Sequence, residues 1–526
     1  MNSNIKFKNF LLPVYVVIFS FILINVEITA GRPTKPTAEK SDSSKINELK
    51  DESTEGAVSI NGREIKYNAI AGNIILKNGN DEQTARIFYV VYFNTAVKDK
   101  SMQPVTFLYN GGPGSSTIWL HMGAFGPKRV ETVDNKYPSA APYKLINNEY
   151  SLLDVSDLVF IDAPGTGFSR IIGKGRDEDF YGVDKDAFAF AQFISQFISK
   201  YGRWNSPKYL FGESYGTTRS AVLANILETR NSIRLNGVIL LSAILNYDTF
   251  TDYPQLNPGI DLPYVLSLPS AAAAAWYHQK LPEKHSDLNL FLKEVENFTT
   301  NEYTLALQKG SLLSSEEKHS IAEKLHDYTG LPVSYIEKSD LRINGGQYEK
   351  ELQSDSDLTT GRLDTRFSGF SMDPLSKEPE YDPLDAAIFA VYVSLFNDYV
   401  RKDLKFGEDM SYIPIESLWG SWNFLHRPPG SEMAIPIATN VLPDLAAVMK
   451  FNPNLKVMLN SGYFDLATPF YASEFCMHHL QIPKELEKNI EYYYYKSGHM
   501  VYISPESLKE LHDNVAKFIK ETNNIK

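Results

Sequence analysis

Lys208-Tyr-Leu-Phe-Gly-Glu-Ser-Tyr-Gly-Thr217 decides the reading of this chain. A short apolar run, Tyr209-Leu210-Phe211, leads into Gly212-Glu213-Ser214-Tyr215-Gly216, and a helical stretch follows from Thr217 to Thr229. Strand, G-x-S-x-G and helix in that order make a nucleophile elbow. The turn is tight, so glycine flanks the serine where any side chain would strike the neighbouring strand or helix. The serine hydroxyl is thereby pushed out at the carboxyl edge of a sheet. The pattern has only three fixed residues, and a plain turn satisfies it equally well. The flanking sequence has to separate the two.

Upstream, the chain reads as strands and turns. Asn61-Gly62 and Asn78-Gly79-Asn80 are hairpin turns, because Asn and Gly tolerate positive φ. Ala85–Phe93 is a strand rich in β-branched and aromatic residues. The pattern then becomes strand, glycine loop, helix. Val105–Tyr109 precedes Asn110-Gly-Gly-Pro-Gly-Ser-Ser-Thr117, Leu158–Ile161 precedes Asp162-Ala-Pro-Gly-Thr-Gly167, and Asp186–Tyr201 has helical periodicity. Gly237–Leu241, Leu455–Leu459 and Glu491–Tyr495 complete a set of short apolar runs that suit parallel strands buried on both faces. The order predicts an α/β-hydrolase fold, a mostly parallel central sheet flanked by helices.

Between Leu245 and Pro436 the sheet rhythm stops. Ser314-Ser-Glu-Glu317 is a capping box for a helix ending near Gly330. Asp382-Pro383 opens a long helix through Tyr399, and Gln347–Ser371 reads as a polar loop between them. The expected organisation is a signal peptide over 1–30, a disordered linker over 31–55, a first core part over 56–245, a largely helical inserted cap over 246–436, and a second core part over 437–526. The signal reading rests on Lys6 and Lys8, the apolar stretch Phe10–Val26, and Ile28-Thr29-Ala30 before the cleavage point. It predicts an exported protein, bacterial periplasmic or extracellular, with no membrane span after cleavage.

A net charge of −12 argues against a nucleic-acid partner, which favours a basic face. The single cysteine, Cys476, excludes an intramolecular disulfide and a cysteine metal site. His478 and His479 are adjacent and so do not share a helix face, which leaves no metal site and no cofactor expected.

A serine hydroxyl needs a base, and the base needs an orienting acid. In this fold they follow in the order serine, acid, histidine. Asp465 lies just after the strand Leu455–Leu459, in Asn460-Ser-Gly-Tyr-Phe-Asp465, and His499 just after the tyrosine strand, in Ser497-Gly-His-Met500. Singly, Asp465 also reads as a turn or cap residue and His499 as a loop histidine. Their order and strand-edge placement join them to Ser214. His121, His478 and His512 are rival bases with unsuitable positions. An oxyanion needs two backbone donors, which Tyr215 and the Gly111-Gly112 loop can supply.

Asn110-Gly-Gly-Pro-Gly114, Asp162–Ser169, Gly212–Gly216, Ser461–Asp465 and Gly498-His-Met500 together resemble the serine carboxypeptidase family, peptidase family S10, from about Gly56 to the C-terminus. Trp119–Val130 resembles the bacterial members. The resemblance implies Ser214 as nucleophile, His499 as general base and then acid, Asp465 as the orienting carboxylate, and Gly112 and Tyr215 N–H groups as the oxyanion hole. It implies Asn110 and a protonated Glu213 as binders of a substrate's terminal carboxylate, so the partners are peptides with a free C-terminus. Burial beside a carboxylate raises the pKa of a Glu, which agrees with that role.

The departures lie around the carboxylate site. A family Trp is Leu108, a second Glu is Ala124, the cysteine of Gly-Pro-Gly-Cys is Ser115, and the acid motif is Gly-Tyr-Phe-Asp. Lys128 or Arg129 could bind the carboxylate instead, but a solvated surface role is the favoured reading of both. Three functions stay open: an exported serine carboxypeptidase, an esterase or acyltransferase on the same scaffold, and a non-catalytic binding protein.

Overall fold

The computed structural model describes residues 50–418 and 420–525. The expected signal segment, and the expected linker up to residue 49, lie outside the described residues. Strand β1, Glu52–Ile60, takes up the last four linker positions as well. Only Val58 and Ile60 turn inward, so this edge strand carries no long apolar run for periodicity to detect.

β2 (Arg63–Lys77) and β3 (Gln83–Asn94) continue the antiparallel start through the two expected turns. Asn61 and Gly62 take φ of 50° and 74° there. β4 (Val105–Tyr109), β5 (Asp157–Ile161), β6 (Lys208–Glu213), β7 (Gly237–Leu241), β8 (Lys456–Gly462) and β9 (Ile490–Tyr495) follow. The order across the sheet is β1-β2-β3-β5-β4-β6-β7-β8-β9, and every neighbouring pair from β5 to β9 is parallel. β5 lies on one side of β4 and β6 on the other. The strand order reverses there, and in open parallel sheets the crevice at such a reversal, outside the carboxyl ends, is where ligands bind. The elbow and the Asn110 loop leave the sheet at that point.

The main helices are α1 (Val183–Lys200), α2 (Tyr215–Thr229), α3 (Leu262–Tyr277), α4 (Leu288–Phe298), α5 (Ser315–Thr329), α6 (Gly345–Glu351), α7 (Pro383–Lys402), α8 (Leu442–Phe451) and α9 (Pro505–Thr522). Alternate strand residues feed two cores, as the period of two requires. Phe107, Val159, Leu210, Leu240 and Leu459 meet α1, α2 and α8 on one face, whereas Leu108, Phe160, Phe211, Leu241 and Met458 meet α7 and α9 on the other. α3, α4 and α5 build a third core with Phe464, Leu466 and Phe470. α7 falls inside the expected cap interval yet belongs to the core beneath the sheet.

The capping box is formed: Glu317 N donates to Ser314 Oγ at 3.1 Å, Ser314 N donates to Glu317 Oε2 at 3.0 Å, and Gly330 closes the helix at φ 71°. The expected polar loop 347–371 is not all loop. It holds most of α6, capped by Asn344, and an antiparallel pair, Leu358–Thr360 with Ser368–Phe370. A helix of seven residues and strands of three are too short to show a period.

His426 fastens the stretch before α8 to the core. Nδ1 lies 2.6 Å from Asp184 Oδ1 on α1, and Nε2 lies 2.7 Å from Asp444 Oδ2 on α8. Two carboxylate partners ask both ring nitrogens to donate, which is the imidazolium form. Burial pulls the pKa down, but the hydrogen bonds and charges of Asp184 and Asp444 win and raise it to about 9. A raised folded pKa stabilises the fold fully below the unfolded value, ~6.5, and the contribution is lost as pH rises through the folded value. The difference in melting temperature between the wild type and His426→Gln should therefore shrink as pH rises from 7 to 10. A difference that stays constant over that range means the ring is not charged.

Candidate active site

Ser214 holds φ 59° and ψ −129°, between the last residue of β6 and the first of α2. A non-glycine residue in that region costs ~1–3 kcal/mol and persists only where the surroundings enforce it. The enforcement is visible: Ser214 N donates to Leu241 O at 3.0 Å, and Thr217 Oγ1 donates to Ser214 O at 2.7 Å. Gly212 is obligatory, since a Cβ there would lie 2.2 Å from Gly216 O. The Asn110 loop presses on the same turn, where a Cβ on Gly111 would lie 2.4 Å from Tyr215 N. Tyr215 opens α2, so its N–H has no acceptor within the helix.

Asp465 lies in the turn after β8 and is fully buried. Its Oδ1 accepts from Ala467 N at 2.8 Å and Thr468 N at 2.9 Å. Its Oδ2 accepts from Thr468 Oγ1 at 2.7 Å and lies 2.8 Å from His499 Nδ1. The turn role and the orienting role are thus carried by one carboxylate. His499 is held by its backbone: N donates to Leu363 O at 2.6 Å, and O accepts from Ser242 Oγ at 2.6 Å. With Nδ1–H donating to Asp465, the Nε2 lone pair is available as a base. Burial disfavours the charged ring, yet Asp465, by charge and hydrogen bond, leaves the His499 pKa raised overall.

Asn110, Gly112, Glu213, Ser214, Tyr215 and His499 line one cavity of about 590 Å³, and Met500 borders it. A larger groove of about 1230 Å³ over α1 holds none of these residues. Glu213 is buried beside Asn110. Desolvation pushes its pKa up to about 7, against the lowering effects of His499, Tyr502 and Asn110. Asn110 Oδ1 accepts from Leu120 N at 3.1 Å, which fixes the amide.

Six of the expected site residues line this cavity, Asp465 joins them through His499, and the structure adds others. Arg219 and Asp186 are fully buried, with Arg219 Nε donating to Asp186 Oδ2 at 2.6 Å and Nη1 to Asn110 O at 2.8 Å. Burial opposes the guanidinium charge, but Asp186 holds the Arg219 pKa above its ordinary value. Arg219, alone among uncharged residues until Glu228 in α2, was the available signal; Asp186 stands in the charged first turn of α1 and gave none. Tyr502 donates to Glu213 at 2.9 Å and 3.2 Å, and nothing in its apolar context marks it. Arg362, Asp252 and Asp385 from the helical segment also line the cavity. Arg129 is not solvated as expected of a surface residue. It is 8% exposed, stacked on Tyr150, 3.9 Å from Glu149 and outside the cavity lining. The rival His121 is buried against Tyr92, and burial lowers its pKa to about 3. Cys476 is buried, which pushes its thiol up to about 12. Among the described residues no group of three His, Cys, Asp or Glu side chains is placed to hold a metal, and no helix is long and apolar enough to cross a membrane.

The sequence profile of the serine carboxypeptidase family matches residues 66–521. The chain belongs to the serine carboxypeptidase family. Among curated relatives, serine carboxypeptidase-like 36 of Arabidopsis thaliana is 30% identical over 175 residues, 32% of this chain and 33% of that protein. Serine carboxypeptidase-like 33 of the same plant is 29% identical over 189 residues, 35% and 37% of the two chains. These alignments span about a third of each relative. Among solved structures, Kex1(delta)p, a prohormone-processing carboxypeptidase from Saccharomyces cerevisiae, matches with a TM-score of 0.54 at 17% identity, over 88% of this chain and 93% of that one. This is a likeness of fold. Within this serine carboxypeptidase fold, the departing positions are all packed. Leu108 is in the lower core, the Ala124 carbonyl accepts from Asn148 Nδ2 at 2.7 Å, and Ser115 Oγ accepts from Trp119 Nε1 at 3.0 Å.

Proposed function

We propose that this protein is an exported, bacterial-type serine carboxypeptidase that removes C-terminal residues from peptides through an acyl-enzyme on Ser214. The observation that carries the proposal is the Asp465–His499 contact of 2.8 Å opening on the cavity that holds Ser214, Asn110 and Glu213. Ser214 Oγ attacks the last peptide carbonyl while His499 Nε2 takes its proton. The Gly112 and Tyr215 N–H groups hold the oxyanion. The C–N bond breaks, His499 protonates the departing amine, and the free C-terminal residue leaves. Water then attacks the Ser214 ester with His499 again as base, releasing the shortened peptide. Asn110 and protonated Glu213 hold the terminal carboxylate, and the segment 246–436 caps the cavity in part. Export rests on the charged and apolar pattern of residues 1–30, and the secreted protein should begin after Ala30 by terminal sequencing.

Two titrations of opposite sign bracket the activity. His499 must be neutral to act as base, so kcat should rise with pH through its raised pKa. Glu213 must be protonated to donate to a carboxylate, so KM for free-acid peptides should climb as pH passes about 7. Amidated peptides should show the first limb only. A ladder of free and amidated peptides, with fluorophosphonate labelling of Ser214, checks this. Equal rates on both C-termini overturn the carboxypeptidase reading, and absence of labelling overturns any serine-hydrolase reading. Ala124, in place of a second carboxyl group, favours the esterase or acyltransferase as the alternative, which equal rates would support.

A further inference from the structure

Glu213 is gripped by a phenol. Tyr502 is 1% exposed, and its hydroxyl reaches both carboxyl oxygens, at 2.9 Å and 3.2 Å. Room for the ring comes from Gly123. A Cβ there would lie 2.7 Å from the Tyr502 ring and 2.5 Å from the Tyr392 hydroxyl. Gly123 is thus the point against which both phenols pack. Four groups act on Glu213, His499 and Asp465 through charge and Tyr502 and Asn110 through hydrogen bonds. Tyr392 lies close enough that the Glu213 charge raises its own pKa.

We infer that Tyr502 is a positioning residue that orients Glu213 and sets the pH range over which the site accepts a free C-terminal carboxylate. The inference rests on the reading of Glu213 as the carboxylate binder. A second carboxyl group beside Glu213 would share a proton with it and titrate as a coupled pair. A phenol does not. Burial raises the Tyr502 pKa well above its ordinary value, so its hydroxyl stays a donor throughout. A donor to a carboxyl group favours the ionised form. Glu213 therefore loses its proton in one step, earlier than burial alone would dictate, and carboxylate binding switches off with it.

The test measures KM against pH for a free-acid peptide, with an ester lacking any carboxylate as the measure of Ser214 chemistry. Tyr502→Phe keeps the ring and removes the donor. The midpoint of the alkaline KM limb should move up by about one pH unit, as losing one hydrogen bond to a charged group predicts. Tyr502→3-fluorotyrosine, nearly isosteric and a stronger donor, should move it down, and serves if the Phe variant does not fold. Glu213→Gln should abolish the limb, and adding Tyr502→Phe to it should change the pH dependence no further. A limb that stays in place in the Phe or fluorotyrosine variant overturns this inference and leaves the carboxypeptidase reading standing. Failure of the wild type to hydrolyse both the ester and the free-acid peptide overturns both.

Discussion

Ser214→Ala and His499→Ala should each lower kcat by about a million-fold, and the double variant should be no worse than either. The reason is geometric. His499 has work to do only if Ser214 supplies a proton, and Ser214 is a poor nucleophile unless His499 removes it. Asp465→Asn should cost less, about ten-thousand-fold, because the introduced amide would offer a donor to Nδ1 and so hold the wrong tautomer. It should also loosen the turn, since the carboxylate accepts from Ala467 and Thr468 as well. Single-turnover rates on an ester, with binding measured separately, check the set. Multiplying losses in the double variant would mean that the two residues act independently, against the coupled mechanism.

The second large effect is on stability. Asp186→Ala leaves the Arg219 guanidinium charged, fully buried and without its carboxylate. Breaking such a pair from one side costs ~3–5 kcal/mol. Arg219 also donates to the Asn110 carbonyl and stacks 4.2 Å from Phe190, so the disturbance reaches the carboxylate site. Asp186→Ala should lower the denaturation midpoint strongly and raise KM for free-acid peptides more than for esters. Asp186→Leu with Arg219→Met removes both charges and should recover much of the stability. If the single variant is as stable as the wild type, the pair is not holding the elbow helix against α1.

The sheet was legible because its strands are buried on both faces and read as unbroken apolar runs, with β4, β6 and β7 within a residue or two of their expected bounds. β1 was not, because an edge strand needs only two inward side chains. The short elements at 345–370 were not, because their stability comes from a cap and a cross-strand pairing rather than from a period. The candidate triad was legible because each member follows a strand, so chain order reports position along one sheet edge. Arg129 was misjudged because charge suggests solvent, whereas Tyr150 covers its guanidinium.

Sequence by itself determined the fold class through local periods and short turns, the family through its motifs, and the order of a candidate serine, acid and histidine. The tertiary structure alone decided which side chains surround Glu213. Tyr502 is 289 positions away along the chain, and Arg219 is 109 positions from the Asn110 carbonyl it holds. Burial sets the Glu213 pKa, and burial is produced by contacts between segments that no local pattern relates.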